Sequence, residues 1–140
     1  MRILRTKFLK NLSVFRPESV NKTILQEHAN FYNTIPDGYH SQLLFDDERG
    51  GYLVLDIGWN ENKYLHATPI HLDLIGDKIW IQYDDTEEGV ATDLLAAGVP
   101  KEDIVLGFRH PQVRQYTEFG TGLSDKDEKI VAESAAVRSA

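Results

Sequence analysis

The chain of 140 residues has no cysteine, a single methionine and no long apolar run. Without cysteine it cannot form a disulfide framework, a thiolate metal site or a cysteine nucleophile. No apolar stretch approaches the roughly 20 residues that a membrane-spanning helix needs, and residues 1–16 lack the apolar segment of a secretory signal. We therefore expect a soluble, cytoplasmic protein with no membrane partner.

The charge is divided unevenly along the chain. Residues 1–22 carry six basic residues and one acidic residue, whereas the remainder carries nine basic against 21 acidic residues. A body this acidic repels phosphate, and the neutralisation of phosphate by Lys and Arg supplies most non-specific affinity for nucleic acid. Direct DNA binding by the body is therefore disfavoured, while a basic protein partner would be attracted. An acidic surface that only confers solubility would have the same composition.

The periodicity of apolar residues predicts a single α+β domain, built as a mainly antiparallel β-sheet with helices packed on one face. Apolar residues recur every three or four positions over residues 18–32 and again over residues 86–97, which is typical of amphipathic helices. Between them lie runs rich in β-branched and aromatic residues, joined by turn residues, that predict two hairpins. The predicted strands are residues 40–45, 52–59, 65–74 and 78–83, and a fifth follows at 104–108.

Particular residues carry these expectations. In the strand at 78–83, Ile79 and Ile81 face one side, whereas Lys78, Trp80 and Gln82 face the other. Asp85 is predicted to cap the second helix. Residues 1–16 are expected to form a disordered basic leader, residues 17–120 the domain, and residues 121–140 a flexible tail. The predicted core contains Val54, Ile70, Ile79, Ile81, Leu94 and Phe108.

Two arrangements could bind a metal ion, and neither has the required geometry. His71 and Asp73 share one face of a strand, whereas strict alternation places His66 on the other, unless Pro69 marks a bulge. Pro36-Asp37 with Glu61-Asn62-Lys63 matches the letters of a metal-dependent nuclease motif, but these residues lie in separate predicted turns. We therefore expect no metal site.

Other catalytic signatures are missing from the sequence. No serine lies in a Gly-x-Ser-x-Gly turn, and no glycine-rich loop precedes a lysine as in a phosphate-binding loop. The sequence predicts no catalytic residue and no cofactor.

A set of short motifs between residues 20 and 119 resembles a known family. It comprises Gly58-Trp59, His71-x-Asp73, Lys78-Ile79-Trp80-Ile81-Gln82, Thr86-Glu87, the run from Gly98 to Phe108, and Pro111 to Arg114 with Thr117 and Phe119. These residues resemble the fdxN element excision controlling factor XisI family of cyanobacteria. The eleven consecutive residues from Gly98 to Phe108 are the most specific part of the match.

The resemblance implies a role in the excision of a DNA element during heterocyst differentiation, together with a XisH-like protein and, indirectly, the recombinase XisF. It implies no catalytic residues. The leading hypothesis is a non-catalytic regulatory factor that binds a XisH-like partner. Three alternatives stay open: an antitoxin-like inhibitor of a XisH-like nuclease, a metal-dependent nuclease, and a DNA-binding accessory factor that uses the basic leader. Whether the chain forms a homo-oligomer also stays open.

The predicted partner-binding surface is the more exposed face of the sheet with the loops that follow it. Protein interfaces are enriched in Trp, Tyr and Arg at the positions that contribute most to affinity. The candidate residues are Trp59, Trp80, Gln82, Arg109, His110 and Arg114. The alternative, that both tryptophans belong to the core, predicts the same residue types.

Overall fold

The computed structural model describes residues 16–34 and 38–122, which form an α+β domain around one sheet. Five strands lie in sequence order across the sheet: β1 (His40–Asp46), β2 (Gly51–Asn60), β3 (Lys63–Ile75), β4 (Lys78–Asp84) and β5 (Ile104–Leu106). The first four strands pair antiparallel, and β5 runs parallel to β4. The predicted fold class is confirmed. Residues 1–15 of the predicted leader and residues 123–140 of the predicted tail lie outside the described residues.

Three α-helices and one short 3-10 helix (Lys101–Asp103) complete the described part of the chain; the α-helices are α1 (Pro17–Asn33), α2 (Val90–Ala96) and α3 (Pro111–Arg114). Helix α1 places Val20, Ile24 and Leu25 against the sheet, each at most 1% exposed. Because these residues recur at helical spacing, the apolar stripe of α1 meets the apolar face of the strands. None of the described helices is long and apolar enough to cross a bilayer.

The core lies between one face of the sheet and helices α1 and α2. Each strand contributes alternate residues, as a pleated strand with one buried face requires. The buried apolar residues of this cluster are Val20, Ile24, Leu25, Tyr52, Val54, Ile70, Leu72, Ile79, Ile81, Val90, Leu94, Val99 and Ile104. Five of the six predicted core residues are therefore buried.

Phe108 is the exception, because its side chain is 46% exposed. Strand β5 ends at Leu106, and the backbone N–H of Arg109 turns back to the Leu106 carbonyl. Phe108 thus lies in a turn outside the ladder and packs against the guanidinium of Arg109, 5.3 Å from its ring centre. The prediction that Phe108 is buried is wrong, since the strand is shorter than the apolar run.

Helix α2 begins four residues later than predicted, and its cap differs. The carboxylate of Asp84, at the end of β4, accepts hydrogen bonds from the backbone N–H of Val90 at 2.6 Å and of Thr86 at 2.9 Å. Gly89 precedes the helix with a φ of 83°, a conformation that glycine adopts without steric cost. The prediction that Asp85 caps the helix is wrong, because the preceding loop folds back onto Asp84.

Candidate partner-binding site

The strand register divides the sheet into a core face and an outer face. Leu53, Leu55 and Ile57 of β2 alternate with the buried Tyr52, Val54 and Asp56, so they lie on the side opposite the main core. Paired residues of neighbouring strands share a face, and the register extends this side to β1 and β3 and, through the pair His71–Tyr83, to β4. We define the outer face as Leu44, Leu53, Leu55, Ile57, Trp59, Tyr64, His66, His71, Ile75 and Tyr83.

The outer face is rich in large apolar side chains in contact with solvent. Trp59 is 63% exposed and Tyr64 is 50% exposed, and their rings pack together with centres 5.1 Å apart. Leu44, Ile75 and Tyr83 are each about half exposed. Contiguous apolar surface of this kind marks contact sites in soluble proteins.

A bulge places both histidines of β3 on this outer face. Val54 pairs with Ile70, but Asp56 pairs with Ala67, so β3 contains one extra residue at Thr68-Pro69. The extra residue reverses the alternation, and His66 and His71 therefore both lie opposite outer-face residues of β2. Strict alternation placed His66 on the opposite side from His71, and that placement is wrong because the bulge that the sequence left open at Pro69 is present.

The prediction that His71 and Asp73 share one face of β3 is confirmed. His71 Nε2 lies 3.0 Å from one carboxylate oxygen of Asp73, and the amide of Gln82 donates to the other at 3.0 Å. Among residues 16–34 and 38–122 no three His, Asp or Glu side chains are arranged to hold a metal ion. Glu61, from the nuclease-like letters, lies in the tight turn between β2 and β3, and Asp37 is outside the described residues.

At the β4–β5 end, the same side of the sheet is covered by the chain itself. The guanidinium of Arg114 stacks over the ring of Trp80, 4.9 Å from the ring centre. On the same indole, the Gly122 backbone approaches so closely that a Cβ there would lie 2.4 Å from the ring. Val105 is fully buried beneath this cover, and Gly120 pairs with it as an added parallel bridge. Trp80 therefore belongs to a small secondary core with Val105, Arg114 and Gly122.

Arg114 is the centre of this cover. It is 8% exposed, and its Nε donates to the carbonyls of Leu106 at 3.2 Å and Arg109 at 3.1 Å. A second guanidinium nitrogen donates to the carbonyl of Gly107 at 3.2 Å. The side chain thus joins α3 to the turn after β5, and its donors are turned inward rather than toward a partner.

The six predicted partner-binding residues therefore separate into two groups. Trp59, Arg109 and His110 are exposed, although His110 also accepts from the backbone N–H of Gln112 and so caps α3. Trp80, Gln82 and Arg114 are held in contacts within the chain. The structure brings Trp59 together with an aliphatic surface on β2 that the sequence-based selection did not include.

Sequence reasoning also missed a polar group on the core face. Asp56 is 7% exposed and accepts a hydrogen bond from the hydroxyl of Ser41. Asp56 lies two residues after Val54 in the alternating pattern of β2, and this spacing could have predicted its place on the core face. It lines a cleft of about 550 Å³ between α1, the sheet and the loop before α2, in which the other charged residues are Asp85, Glu87, Glu88 and Asp93, beside His28.

Comparison with known proteins gives the same family from sequence and from structure. A family model described as XisI protein matches residues 14–121. A solved structure of the fdxN element excision controlling factor XisI from Anabaena variabilis is 33% identical, with a TM-score of 0.64 over 75% of this chain and 95% of its own. A XisI-like protein from the same organism is 36% identical, with a TM-score of 0.68 over 74% of this chain and 94% of its own. No curated protein matches the chain.

Proposed function

The chain belongs to the XisI family, and from this premise we propose that it is a non-catalytic factor that controls DNA excision through contact with a XisH-like protein. The exposed apolar outer face carries this proposal. Because Trp59 and Tyr64 are exposed to solvent on this face of the sheet, covering the face with a partner would be favourable through the hydrophobic effect. The charge of the body adds selectivity, because an acidic protein is steered toward a basic, nucleic-acid-binding partner.

The central part of the outer face supplies the contact area. Leu53, Leu55 and Ile57 lie in a row on β2, flanked by the Trp59–Tyr64 pair at one end. The centres of interfaces, which contribute most of the binding energy, typically contain aromatic side chains beside aliphatic ones. Arg109 and His110 lie on the turn before α3 and would form part of the polar rim.

The test is binding of the purified chain to a purified XisH-like protein, measured by isothermal titration calorimetry. Trp59→Ala should weaken the complex at least about tenfold, the loss expected for an anchor at an interface centre. Tyr116→Ala is the matched control, because Tyr116 is 79% exposed and lies outside the outer face. Equal affinities of the two variants, or the lack of any complex at micromolar concentrations, would contradict the proposal.

An inhibitor of a XisH-like nuclease would use the same contact, and its output differs from that of an excision cofactor. An inhibitor lowers the DNA-cleaving activity of the partner when added in equal amount, whereas an excision factor raises recombination at the element ends. The proposal further holds that the chain alone is not an enzyme. Magnesium-dependent nicking by the isolated chain that is lost in Glu61→Ala would overturn that part.

A further inference from the structure

The two edges of the sheet are treated differently by the fold. At the β5 edge, the backbone N–H of Gly120 donates to the carbonyl of Ile104 at 2.8 Å, so the edge is covered by the following segment. At the β1 edge, the backbone N–H and C=O groups of alternate residues point away from β2. An uncovered edge presents unpaired backbone N–H and C=O groups and is a ready template for another strand.

Part of the β1 edge is closed by a side chain from α1. The amide of Asn33 accepts from the backbone N–H of Ser41 at 2.8 Å and donates to its carbonyl at 3.2 Å. Asn33 thus makes both hydrogen bonds that a neighbouring strand would make at Ser41. These bonds also show which backbone groups of β1 point away from β2. The N–H and C=O groups of Ser41, Leu43 and Phe45 point away from β2, and those of the residues between them point toward β2.

The remaining outward groups belong to Leu43 and Phe45. Within the described residues, their backbone N–H and C=O groups make no hydrogen bond to anything beyond the edge. Beyond Phe45 the hairpin turn begins, closed by the Gly50 N–H donating to the Asp46 carbonyl at 2.7 Å. The open part of the edge therefore contains four hydrogen-bonding groups, two on each side of Leu44.

We propose that the β1 edge pairs with β1 of a second copy of this chain, antiparallel and with a two-fold axis at Leu44, to form a continuous ten-stranded sheet. In this register Leu43 lies opposite Phe45 of the second copy, and the reverse, so all four open groups are satisfied. A register centred on Leu43 would need the outward groups of Ser41, which Asn33 occupies. A register centred on Phe45 would leave the groups of Leu43 opposite a turn.

The side chains of the strand favour the same partner. In this register Leu44 lies opposite Leu44 of the second copy, and its side chain is 48% exposed in the single chain. Gln42 lies opposite Asp46 of the second copy, so an amide donor faces a carboxylate twice in the dimer. The strand, His-Ser-Gln-Leu-Leu-Phe-Asp, contains none of the lysine, arginine or proline residues with which proteins usually protect an open edge.

Cysteine substitution tests this geometry directly, because the natural chain contains no cysteine. Leu44 and its copy form a non-hydrogen-bonded pair, whose Cα atoms lie about 4.5 Å apart, inside the range of about 4.4–6.8 Å that disulfides span. Leu44→Cys should therefore give a covalent dimer with diamide as oxidant. Ile75→Cys is the matched control, since Ile75 is 52% exposed on β3 and remote from the axis; it should remain mostly uncrosslinked.

Charge substitutions at the same position give a second test. Leu44→Glu and Leu44→Lys each place like charges across the axis, so each should be monomeric in sedimentation equilibrium, while an equimolar mixture should recover the dimer. The unmodified chain should sediment at twice its chain mass. A monomeric wild-type chain at high micromolar concentration, or crosslinking of Leu44→Cys no faster than of Ile75→Cys, would overturn the proposal. Neither outcome affects the outer-face contact tested through Trp59.

Discussion

Replacement of Arg114 by alanine tests whether this residue holds the fold together or serves as a contact for a partner. The side chain is 8% exposed and joins α3 to the turn after β5 through three carbonyls. It also stacks on Trp80. A surface contact residue would leave the free energy of unfolding nearly unchanged, whereas a structural residue would not.

The magnitude follows from the interactions that the substitution removes. Two nitrogen donors serve the three carbonyls, and a hydrogen bond from a charged donor contributes about 1.5–3 kcal/mol. The stacking on Trp80 adds about 1 kcal/mol in a partly buried setting. Water can replace part of the hydrogen bonding once the guanidinium is removed, so we expect Arg114→Ala to lower the free energy of unfolding by about 4 kcal/mol.

Urea denaturation followed by tryptophan fluorescence and by circular dichroism measures this loss. Arg114→Lys keeps the charge but not the planar fork of donors, so it should recover only part of the stability. Arg109→Ala is the control, because its guanidinium is exposed and, within residues 16–34 and 38–122, contacts only the ring of Phe108; its effect should stay within about 0.5 kcal/mol. An Arg114→Ala variant within about 1 kcal/mol of wild type would refute the structural role.

Two further predictions concern the main core. Leu94→Ala should lower the free energy of unfolding by about 2–5 kcal/mol, because Leu94 is fully buried between α2 and the sheet; an unchanged denaturation midpoint would contradict this. Burial, and then the hydrogen bond to Asp47 at 2.8 Å, raise the pKa of Tyr52 far above its ordinary value. Wild type should therefore lose stability relative to Tyr52→Phe as the pH rises above about 10, where tyrosine ionises in the unfolded chain; a difference between the two that does not change with pH would refute it.

Local patterns in the sequence predicted most of the elements because their causes are local. The alternation of Ile79, Trp80 and Ile81 assigns the faces of β4 whatever the rest of the chain does. The spacing of Val20 and Ile24 similarly predicts the buried stripe of α1. The family resemblance, carried by motifs between residues 20 and 119, rests on sequence as well and is confirmed by the family model.

Element ends depended on hydrogen bonds that the local pattern does not contain. Asp84 rather than Asp85 caps α2, because the loop after β4 returns its N–H groups to that carboxylate. Phe108 lies outside β5, because the chain turns at Leu106. In both cases the residue types were compatible with either outcome. A hydrogen bond between residues two to six positions apart in the chain decided between them.

The role of each candidate site residue was decided by tertiary structure. Arg114 and Trp59 both have side chains that favour interfaces, and the sequence treats them alike. Folding places three carbonyls around Arg114, whereas Trp59 stands at the end of β2 with the ring of Tyr64 beside it. The sequence by itself determined which faces are apolar, since that depends on residue type and spacing. Which apolar face is covered, and which part of the β1 edge Asn33 closes, depended on distant segments meeting in space.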